Sequence, residues 1–229
     1  MTAASFQLPF AFSFREALDF DSFLVSPANA ALLQYLQGFA QGPDQFCFLW
    51  GVAGCGKTHL LQALCHASPA AIYLPLAQLL EHGPHCLDGL ERYQFLIFDD
   101  LEVLAGRQDW EERVFQLFNA LHERGGKLCL AAEHNPATLQ LLLPDLRSRL
   151  QLSVVFEVQP LDDSGRLQVL RLRARKRGIE LKDEVAGYIM TRSPRGMLDL
   201  LAVLDRLDRL SLAEKRRVTI PFIRSIFDW

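Results

Sequence analysis

The chain has 229 residues, of which 50% are hydrophobic and 22% are charged, a composition typical of a globular protein and not of a disordered one. No apolar stretch reaches the ~18 residues that a membrane-spanning helix needs. The first residues, MTAASFQLPFAF, have neither the basic lead-in nor the cleavage site of a secretory signal. The five cysteines are scattered and form no CxxC pair. We therefore expect a cytoplasmic protein with reduced thiols, no membrane contact, and no zinc site or disulfide framework.

The net charge of −3 is unevenly distributed along the chain. Residues 1–159 hold 9 Lys and Arg against 17 Asp and Glu, whereas residues 160–229 hold 15 against 10. This distribution argues against general polyanion binding by the whole protein. The basic C-terminal part is suited to contact phosphates or an acidic partner surface.

Strand and helix patterns alternate through the first two thirds of the chain. The stretch SPANAALLQYLQGFA predicts a helix with Ser26 as its N-cap and Pro27 at its first position. Short apolar runs predict strands at FCFLW, AAIYLPL, FLIFDD, KLCLAAE and SVVFEV. Helical patterns between them include THLLQALCHAS and DWEERVFQLFNALHERGG. This alternation predicts an α/β fold with a mostly parallel sheet in a three-layer αβα arrangement.

The pattern changes after Pro160, where four helical stretches follow one another without a further strong strand signal. We expect a domain boundary near residues 158–162, and no low-complexity linker separates the two sides. The predicted organisation is an N-terminal segment over residues 1–14, an α/β nucleotide-binding domain over residues 15–159, and a small all-helical domain over residues 160–229.

The stretch GVAGCGKT fits the phosphate-binding pattern GxxxxGK(S/T) at each of its fixed positions. Its glycines let successive backbone N–H groups point at one anion, and the helix that follows adds the positive end of its dipole. Lys57 is expected to reach the β- and γ-phosphates, and the Thr58 hydroxyl to bind Mg²⁺. The alternative is a chance loop between a strand and a helix. The predicted nucleotide-binding residues are Gly51, Gly54, Cys55, Gly56, Lys57, Thr58 and His59.

Two carboxylates end the predicted strand in FLIFDDLE. Asp99 is placed to hold Mg²⁺ through water, and Asp100 to polarise an attacking water as a general base. The alternative is an exposed strand end with two solvated acids. A phosphate loop about 40 residues upstream favours the first interpretation.

The stretch LPDLRSRL carries two arginines after a proline-led turn. An arginine has the planar fork that suits a γ-phosphate on a neighbouring molecule. We choose Arg149 as the catalytic arginine, because Leu146 and Leu150 would bury this turn and fix the arginine between them. The alternative is a solvated helix end.

The order of these motifs resembles that of the AAA+ ATPases, and in particular the bacterial replication initiator DnaA. The stretch FDSFLVSPANAAL is similar to the segment that lines the adenine pocket in DnaA, and EERVFQLFNAL to the segment after its second acidic motif. Nothing in the chain resembles the domain with which DnaA holds duplex DNA, so sequence-specific DNA binding is not expected.

The layout further resembles the Hda family, the DnaA-related AAA+ regulatory inactivators of DnaA. QPLDDSGRLQVLRLRARKRGIEL and LDRLDRLSLAEKRRVTIPFIRSI are similar to the lid of that family, and FQLPFAF to its sliding-clamp-binding motif. An extended segment would place apolar side chains in a groove and anchor a glutamine beside it. The alternative is that these side chains cover the protein's own core. The predicted clamp-binding residues are Gln7, Leu8, Phe10 and Phe12.

The resemblance implies a negative regulator of replication initiation. Its partners would be DnaA and the sliding clamp, the β subunit of DNA polymerase III, and homo-oligomer formation stays open. Arg149 would complete the active site of DnaA in trans, where such an arginine contributes ~10³–10⁵ in rate. The chain's own cofactors would be ADP, or ATP, with Mg²⁺, and ADP would act as an assembly switch.

Two positions bear on the chain's own hydrolysis. The position at which DnaA has its lid sensor arginine is Leu198 in PRGMLDLL, and Arg195 lies one helical turn earlier as a substitute for nucleotide contact. The strand-end sensor position is Glu133, whose carboxylate would repel a γ-phosphate. Both departures favour an ADP-holding switch, whereas the intact Lys57 and Asp100 leave intrinsic hydrolysis open.

Several features have ordinary explanations beside functional ones. The basic run Arg171, Arg173, Arg175, Lys176 and Arg177 is interpreted mainly as a solvated helix face, with contact to nucleotide, DnaA or DNA as the alternative. Two other functions remain open for the whole chain. One is a self-sufficient ATPase such as a DnaC-type helicase loader, and the other is a binding module whose phosphate loop is only structural.

Overall fold

A computed structural model of the chain describes residues 18–194, 196–227 and 229. The predicted clamp-binding segment lies outside the described residues, and so does the predicted substitute sensor. The predictions for Gln7, Leu8, Phe10, Phe12 and Arg195 therefore stay predictions.

Within the described residues, a sheet of five parallel strands lies at the centre of the first domain. Apolar runs bounded by turns form the central strands, because both of their faces are covered and they read as short, nearly continuous hydrophobic stretches, whereas the edge strand Val154–Glu157 alternates half-buried and exposed residues. The strands are Phe46–Trp50 (β1), Ala71–Pro75 (β2), Phe95–Asp99 (β3), Lys127–Ala132 (β4) and Val154–Glu157 (β5). Their order in the sheet is β2-β3-β4-β1-β5.

Helices cover both faces of the sheet, and the alternation of side chains along β1 shows how. Phe46 and Phe48 belong to one buried cluster, whereas Cys47 and Leu49 belong to the cluster on the opposite face. The α-helices of this domain are Ala30–Phe39 (α1), Lys57–Ala67 (α2), Leu76–Leu79 (α3), Gln108–Glu123 (α4) and Pro144–Leu150 (α5). Short 3-10 helices lie at Pro27–Asn29, Leu80–His82, Pro84–Leu87, Leu90–Arg92 and Leu101–Leu104. The predicted three-layer αβα fold is confirmed.

In the part of the chain described after β5, four helices enclose a separate apolar core. Asp162 begins the first of them as a true N-cap, because its Oδ1 accepts a hydrogen bond from Gly165 N at 2.7 Å. The helices are Asp163–Lys176 (α6), Asp183–Arg192 (α7), Met197–Glu214 (α8) and Ile220–Phe227 (α9). The predicted all-helical C-terminal region is confirmed, and we call it the lid. No helix among the described residues has the length and apolar character that crossing a membrane requires.

The first helix starts differently from the sequence prediction. Ser26 and Pro27 stand at the start as predicted, but of a 3-10 turn, in which the backbone carbonyl of Ser26 accepts from Asn29 N at 3.0 Å and its side chain makes no cap bond. The α-helix therefore begins only at Ala30. The predicted strand in FLIFDD is also shorter than its sequence signal, since Asp100 turns out of it in the left-handed conformation with φ 59°.

Candidate functional site

The phosphate loop joins β1 to α2 at the carboxyl edge of the sheet, as parallel α/β folds require of their ligand sites. Gly56 caps α2 with φ 114°, a conformation that side-chain-bearing residues rarely adopt. A Cβ at this glycine would lie 2.9 Å from Cε2 of Phe23, so the position is also too tight for one. The loop therefore presents backbone and the N-terminal end of α2 toward the space above it.

Lys57 is buried inside this loop. Its Nζ donates to Gly51 O at 2.6 Å and to Val52 O at 3.3 Å. These two carbonyls hold the ammonium within the loop and satisfy two of its three donors. The loop thus carries a fixed positive charge at the N-terminus of α2, and both features favour an anion there.

The first of the two paired acids is buried and held by a neighbouring strand. Asp99 is 1% exposed, and its Oδ2 accepts from the hydroxyl of Tyr73 at 2.7 Å. Its Oδ1 accepts from Asp100 N at 3.1 Å. Tyr73 reaches this carboxylate because β2 lies beside β3 in the sheet, with Pro75 opposite Asp99. Burial and the nearby carboxylate raise the pKa of Tyr73, so its hydroxyl stays protonated and donates.

The second acid faces the open side of the site. Asp100 is half-buried, and burial raises its pKa to about 6, with further contributions from the charges of Asp99 and Glu102. Lys57 acts in the opposite direction. A carboxylate with a pKa near neutrality is suited to accept a proton from water, which is the chemistry required of a general base.

A cavity of about 400 Å³ lies between the phosphate loop, the segment before α1 and the lid. Its apolar part is suited to an aromatic base, and its polar part contains the loop lysine and the acids. From the α/β domain it is lined by Leu18, Ser22, Phe23, Leu24, Ala53, Gly54, Cys55, Gly56, Lys57, Thr58, His59, Asp100 and Glu133. From the chain after the sheet it is lined by Leu161, Val169, Arg173, Met197, Leu198 and Leu201.

The segment before α1 is fastened to the loop helix by His59. The Nε2 of this histidine lies 2.9 Å from Asp19 O and 3.3 Å from the hydroxyl of Ser22. Its ring meets the ring of Phe23 edge to face, with centroids 5.3 Å apart. Burial lowers the pKa of His59, and the positive charge of Arg173 lowers it further. The imidazole of His59 is therefore neutral at neutral pH, and it links the segment before α1 to α2 through hydrogen bonds.

The lid closes the other side of the cavity. Leu198, at the start of α8, lies against the loop: a Cβ on Gly54 would be 3.2 Å from its Cγ. Arg173 from α6 is 9% exposed, and its Nη2 lies 3.3 Å from His59 Nδ1. The close approach at Gly54 shows a second reason for a glycine in the loop, since the lid occupies the space a side chain would need.

The interpretation of the basic run as mainly a solvated face is wrong for Arg173, which is buried and lines the cavity. Arg173 points into the cavity, whereas Arg171 pairs with Asp183 at 2.9 Å and Arg177 with Asp205 at 2.6 Å. Only Arg175 and Lys176 are exposed. The lid helices pack on one another at short range, and this packing brings acids of α7 and α8 to α6, which the local sequence does not reveal.

The residues of the cavity fit a nucleotide. Its volume is in the range of small-ligand sites, and it combines an apolar part with a loop whose glycines admit no side chain. The loop glycines, Lys57 and Thr58 would hold the phosphates, and the side chains of Phe23, Leu161 and Val169 would contact the base. A bound nucleotide supplies the phosphoanhydride bond, and the chain's residues position it.

The residues present fit Mg²⁺ in the way of a phosphate-loop protein, with few protein ligands, and they do not form a dedicated metal-binding cage. Among the described residues there is no group of three or more His, Cys, Asp or Glu that could hold a metal ion. Thr58 lines the cavity, whereas Asp99 lies behind its wall with both oxygens hydrogen-bonded. A hydroxyl and one carboxylate suit Mg²⁺, because this ion keeps several waters and takes phosphate oxygens.

The structure brings most of the predicted site residues together, but not all. The cavity wall includes Gly54, Cys55, Gly56, Lys57, Thr58, His59 and Asp100, together with Glu133 and Leu198 at the two sensor positions. Gly51 and Asp99 lie next to this wall without lining it. Arg149 belongs elsewhere, on α5, and does not line the cavity.

Sequence analysis gave no role to two contributors to the site and left the role of a third open. Tyr73, for which the sequence had no signal, orients Asp99. Asn29 is buried and joins the start of α1 to the end of the sheet, since its side chain donates to Gln159 O at 2.8 Å and accepts from Gln159 N at 2.9 Å. Its signal was its place in the segment that resembles the adenine-pocket segment of DnaA. Arg173 reaches the cavity from the lid, which fits the nucleotide contact given as the alternative for the basic run.

This fold and this site define a nucleotide-binding class, the AAA+ proteins, with a phosphate loop, paired acids at a strand end and a helical lid. Two family models match the chain in adjoining regions. Residues 88–157 match the bacterial DnaA ATPase domain, and residues 163–227 match the model described as Hda, lid domain.

Solved structures of DnaA have a similar fold. Domain III of the DnaA replication initiation protein from Thermotoga maritima superimposes with a TM-score of 0.78 at 22% identity, covering 92% of this chain and 95% of that one. AMPPCP-bound DnaA from Aquifex aeolicus gives a TM-score of 0.68 at 21% identity, covering 86% and 66%.

The fold of this chain is also similar to that of a motor protein, at a lower sequence identity. The Holliday junction branch migration motor RuvB from Thermotoga maritima gives a TM-score of 0.67 at 17% identity, covering 92% of this chain and 71% of that one. The likeness to these structures shows the AAA+ fold, and the two family models narrow the class. The chain is a Hda- and DnaA-like AAA+ protein.

Proposed function

We propose that this chain binds an adenine nucleotide and regulates DnaA by completing the ATP site of DnaA with Arg149. Nucleotide binding is supported by the cavity and by the loop that lines it. The regulatory role is supported by the lid, which matches the Hda lid model, and by the resemblance of the chain to that family.

The observation that carries the proposal is the position of Arg149. It lies in the last turn of α5, between the fully buried Leu146 and Leu150. The arginine itself is half-exposed, and its guanidinium forms no hydrogen bond or ion pair within the part of the chain that the structure describes. A helix held by two buried leucines thus carries a partly exposed arginine that does not line the chain's own cavity.

The surface around α5 supports a protein contact there. Leu142 and Leu152 lie two residues beyond either end of α5 and are 58% and 60% exposed. Exposed leucines close to an available arginine are typical of an interface with another protein, because they gain from burial while the arginine makes the polar contact. DnaA is the partner that the family resemblance favours.

The chain's own nucleotide would then act as a switch. Leu198 lies over the loop where DnaA has a sensor arginine, and an aliphatic side chain offers no donor to a γ-phosphate. Glu133, on the cavity wall, would repel that phosphate. Both features favour retention of ADP. The sliding clamp is the further partner we propose, through Gln7, Leu8, Phe10 and Phe12.

The decisive experiment follows turnover of labelled ATP bound to DnaA, with clamp, DNA and this protein. We expect Arg149→Ala to abolish the stimulation, with a loss of ~10³-fold or more. The matched control is Arg147→Ala on the same helix, which should stimulate as the wild type does. A mutant at 149 that stimulates normally would exclude this arginine, and loss at 147 alone would reassign the role.

Clamp binding is tested separately by a pull-down on the sliding clamp. Replacement of Gln7 and Leu8 by Ala should remove binding, whereas Arg149→Ala should retain it. Unchanged binding of the doubly substituted protein would refute the clamp assignment without touching the arginine assignment.

A second candidate, a self-sufficient ATPase, is favoured by one observation. Asp100 lines the cavity, and its pKa of about 6 is suited to a general base. This candidate requires turnover of ATP by the chain alone, and a loss of that turnover in Asp100→Asn. The regulatory proposal instead expects little turnover without DnaA.

A further inference from the structure

The lid carries a surface on which arginine side chains lie over aromatic rings. Arg192 at the end of α7 and Arg224 on α9 both lie over the ring of Tyr188, with their Cζ atoms 5.9 and 5.6 Å from its centroid. Arg206 on α8 lies over the ring of Phe227, with its Cζ atom 4.9 Å from that centroid. These distances are in the range of cation–π contacts. Three arginines from three different helices are thus each held against a ring.

Further contacts join the two rings into one surface. The rings of Phe227 and Trp229 are stacked with centroids 4.7 Å apart, and the centroid of Trp229 lies 6.3 Å from that of Tyr188. The hydroxyl of Tyr188 donates to Trp229 O at 3.2 Å and accepts from Arg224 Nε at 3.2 Å. The resulting continuous surface, which we call the arginine–aromatic face, consists of Tyr188, Arg192, Arg206, Arg224, Phe227 and Trp229.

The arginine–aromatic face is positively charged. Its three arginines are exposed, and none of them forms an ion pair with another residue that the structure describes. Residues 188–229 hold 8 Lys and Arg against 5 Asp and Glu. Two of these acids already have partners, because Asp205 pairs with Arg177. Glu214 likewise pairs with Arg216. The face therefore carries an excess of positive charge on a chain whose net charge is −3.

The arrangement of these arginines suits phosphate groups. A guanidinium that packs its flat side on a ring keeps its N–H edges for an anion, and its planar fork matches phosphate oxygens. Contact with a ring also limits the rotamer freedom that the side chain would otherwise lose on binding. An acidic protein is the alternative partner. The rings, however, are half-buried and offer little apolar surface, and interfaces with nucleic acid are more polar and more positively charged than those between proteins.

The half-buried rings further favour a duplex over a single strand. Single-stranded nucleic acid is bound by exposed rings on which the bases stack, whereas these rings already contact arginines and one another. We propose that the arginine–aromatic face binds the phosphate backbone of duplex DNA without reading its sequence. This contact goes beyond the proposed function, and it rests neither on Arg149 nor on nucleotide binding.

The test is the fluorescence anisotropy of a labelled DNA duplex titrated with the full chain at several salt concentrations, without DnaA or clamp. The variant combines Arg192→Gln, Arg206→Gln and Arg224→Gln. We expect its affinity at low salt to fall about tenfold or more. The slope of log K against log salt concentration should become shallower by about 2–3, since each phosphate contact contributes ~0.9. Each single replacement should reduce the slope by about 1, so the single variants carry the test if the triple variant unfolds.

The matched control combines Arg92→Gln, Arg107→Gln and Arg124→Gln in the α/β domain. These arginines are also exposed, and Arg92 also lies over a ring, that of Tyr93, at 5.1 Å from its centroid. Both triple variants change the formal net charge from −3 to −6, so the comparison separates the face from general charge. The control should bind within about twofold of the wild type. Thermal unfolding confirms that each variant is folded.

Four outcomes would overturn the proposal. The first is a wild-type chain that binds no duplex at about 50 mM salt. The second is an equal loss of affinity in the two triple variants, which would reduce the effect to general charge. The third is tighter binding of a single strand of the same length. The fourth is binding of polyglutamate through the face without binding of duplex DNA, which would assign the face to an acidic protein. None of these outcomes bears on Arg149, because the assay contains no DnaA.

Discussion

The hydroxyl of Tyr73 donates a 2.7 Å hydrogen bond to Oδ2 of Asp99, from one strand of the sheet to the next. Asp99 ends β3 and is 1% exposed, so its carboxylate is oriented by protein groups and not by bulk solvent. Tyr73 holds one oxygen, and the backbone N–H of Asp100 holds the other. The direction in which this acid faces is therefore set by the packing of β2 beside β3.

Removal of this bond should affect Mg²⁺-dependent nucleotide affinity. Tyr73→Phe retains the ring but removes the donor, and a buried bond to a charged group contributes ~1.5–3 kcal/mol. We expect the melting temperature to fall by several degrees and ADP affinity to fall several-fold with Mg²⁺ but not in EDTA. Calorimetry of ADP binding under the two conditions measures the difference.

The control for Tyr73 is Tyr93→Phe. The Tyr93 hydroxyl accepts only from the exposed Arg92 among the described side chains, so its loss should leave both affinities unchanged. Equal ADP affinity of Tyr73→Phe and wild type in Mg²⁺ would contradict a metal role for Asp99.

Glu111 positions the arginine helix from inside the core. It is fully buried, and its two oxygens accept from Gly106 N at 3.0 Å and from Leu143 N at 2.8 Å. Leu143 is the residue before α5, so this acid fixes the start of the helix that carries Arg149. Glu111→Ala should cost ~2–4 kcal/mol, because it leaves two backbone donors unsatisfied.

Activity should fall further than this loss of stability explains. At a temperature where Glu111→Ala is still folded by circular dichroism, we expect weaker stimulation of DnaA although Arg149 is intact. Glu112→Ala, at the exposed neighbouring position, serves as the control. Full stimulation by folded Glu111→Ala would show that α5 keeps its position without this anchor.

Asn29 connects the beginning and the end of the α/β domain. Its side chain makes two hydrogen bonds to the backbone of Gln159, which follows β5, so these bonds join the two ends of the stretch of chain that contains all five described strands. Asn29→Ala should lower the free energy of unfolding by ~2–3 kcal/mol, since both backbone groups lose their partner. Denaturant unfolding measures this, and Asn135→Ala, which loses one local bond to Ala137 N, should cost about 1 kcal/mol or less.

Asp100 should make the protein less stable as pH rises. Its folded pKa of about 6 lies above its ordinary value of 3.8, so the unfolded chain binds fewer protons between these values. Its contribution is fully present below pH 3.8 and is lost as the pH rises through 6. The asparagine variant suits this left-handed backbone and cannot ionise.

We expect Asp100→Asn to melt at a higher temperature than wild type at pH 7.5, measured in EDTA without nucleotide. The gain should be ~1 kcal/mol, or about 2–4 °C, because the half-exposed carboxylate is screened by solvent. At pH 4.5 the two proteins should melt within about a degree of each other. An equal gain in melting temperature at both pH values would contradict the raised pKa of Asp100.

Local patterns in the sequence determined much of this protein. The glycine loop, the five apolar strands and the helical C-terminal region are encoded within short windows, because backbone freedom, strand burial and helical periodicity depend on near neighbours.

Only the tertiary structure decided which distant side chains meet. The strand order puts Tyr73 against Asp99, the packing of α4 puts Glu111 at the start of α5, and the lid brings Arg173 to His59. Each pair is separated by at least 26 residues, and no periodicity within one element specifies such contacts. They are fixed by how elements pack, since burying the apolar faces of strands and helices decides which polar groups are enclosed together.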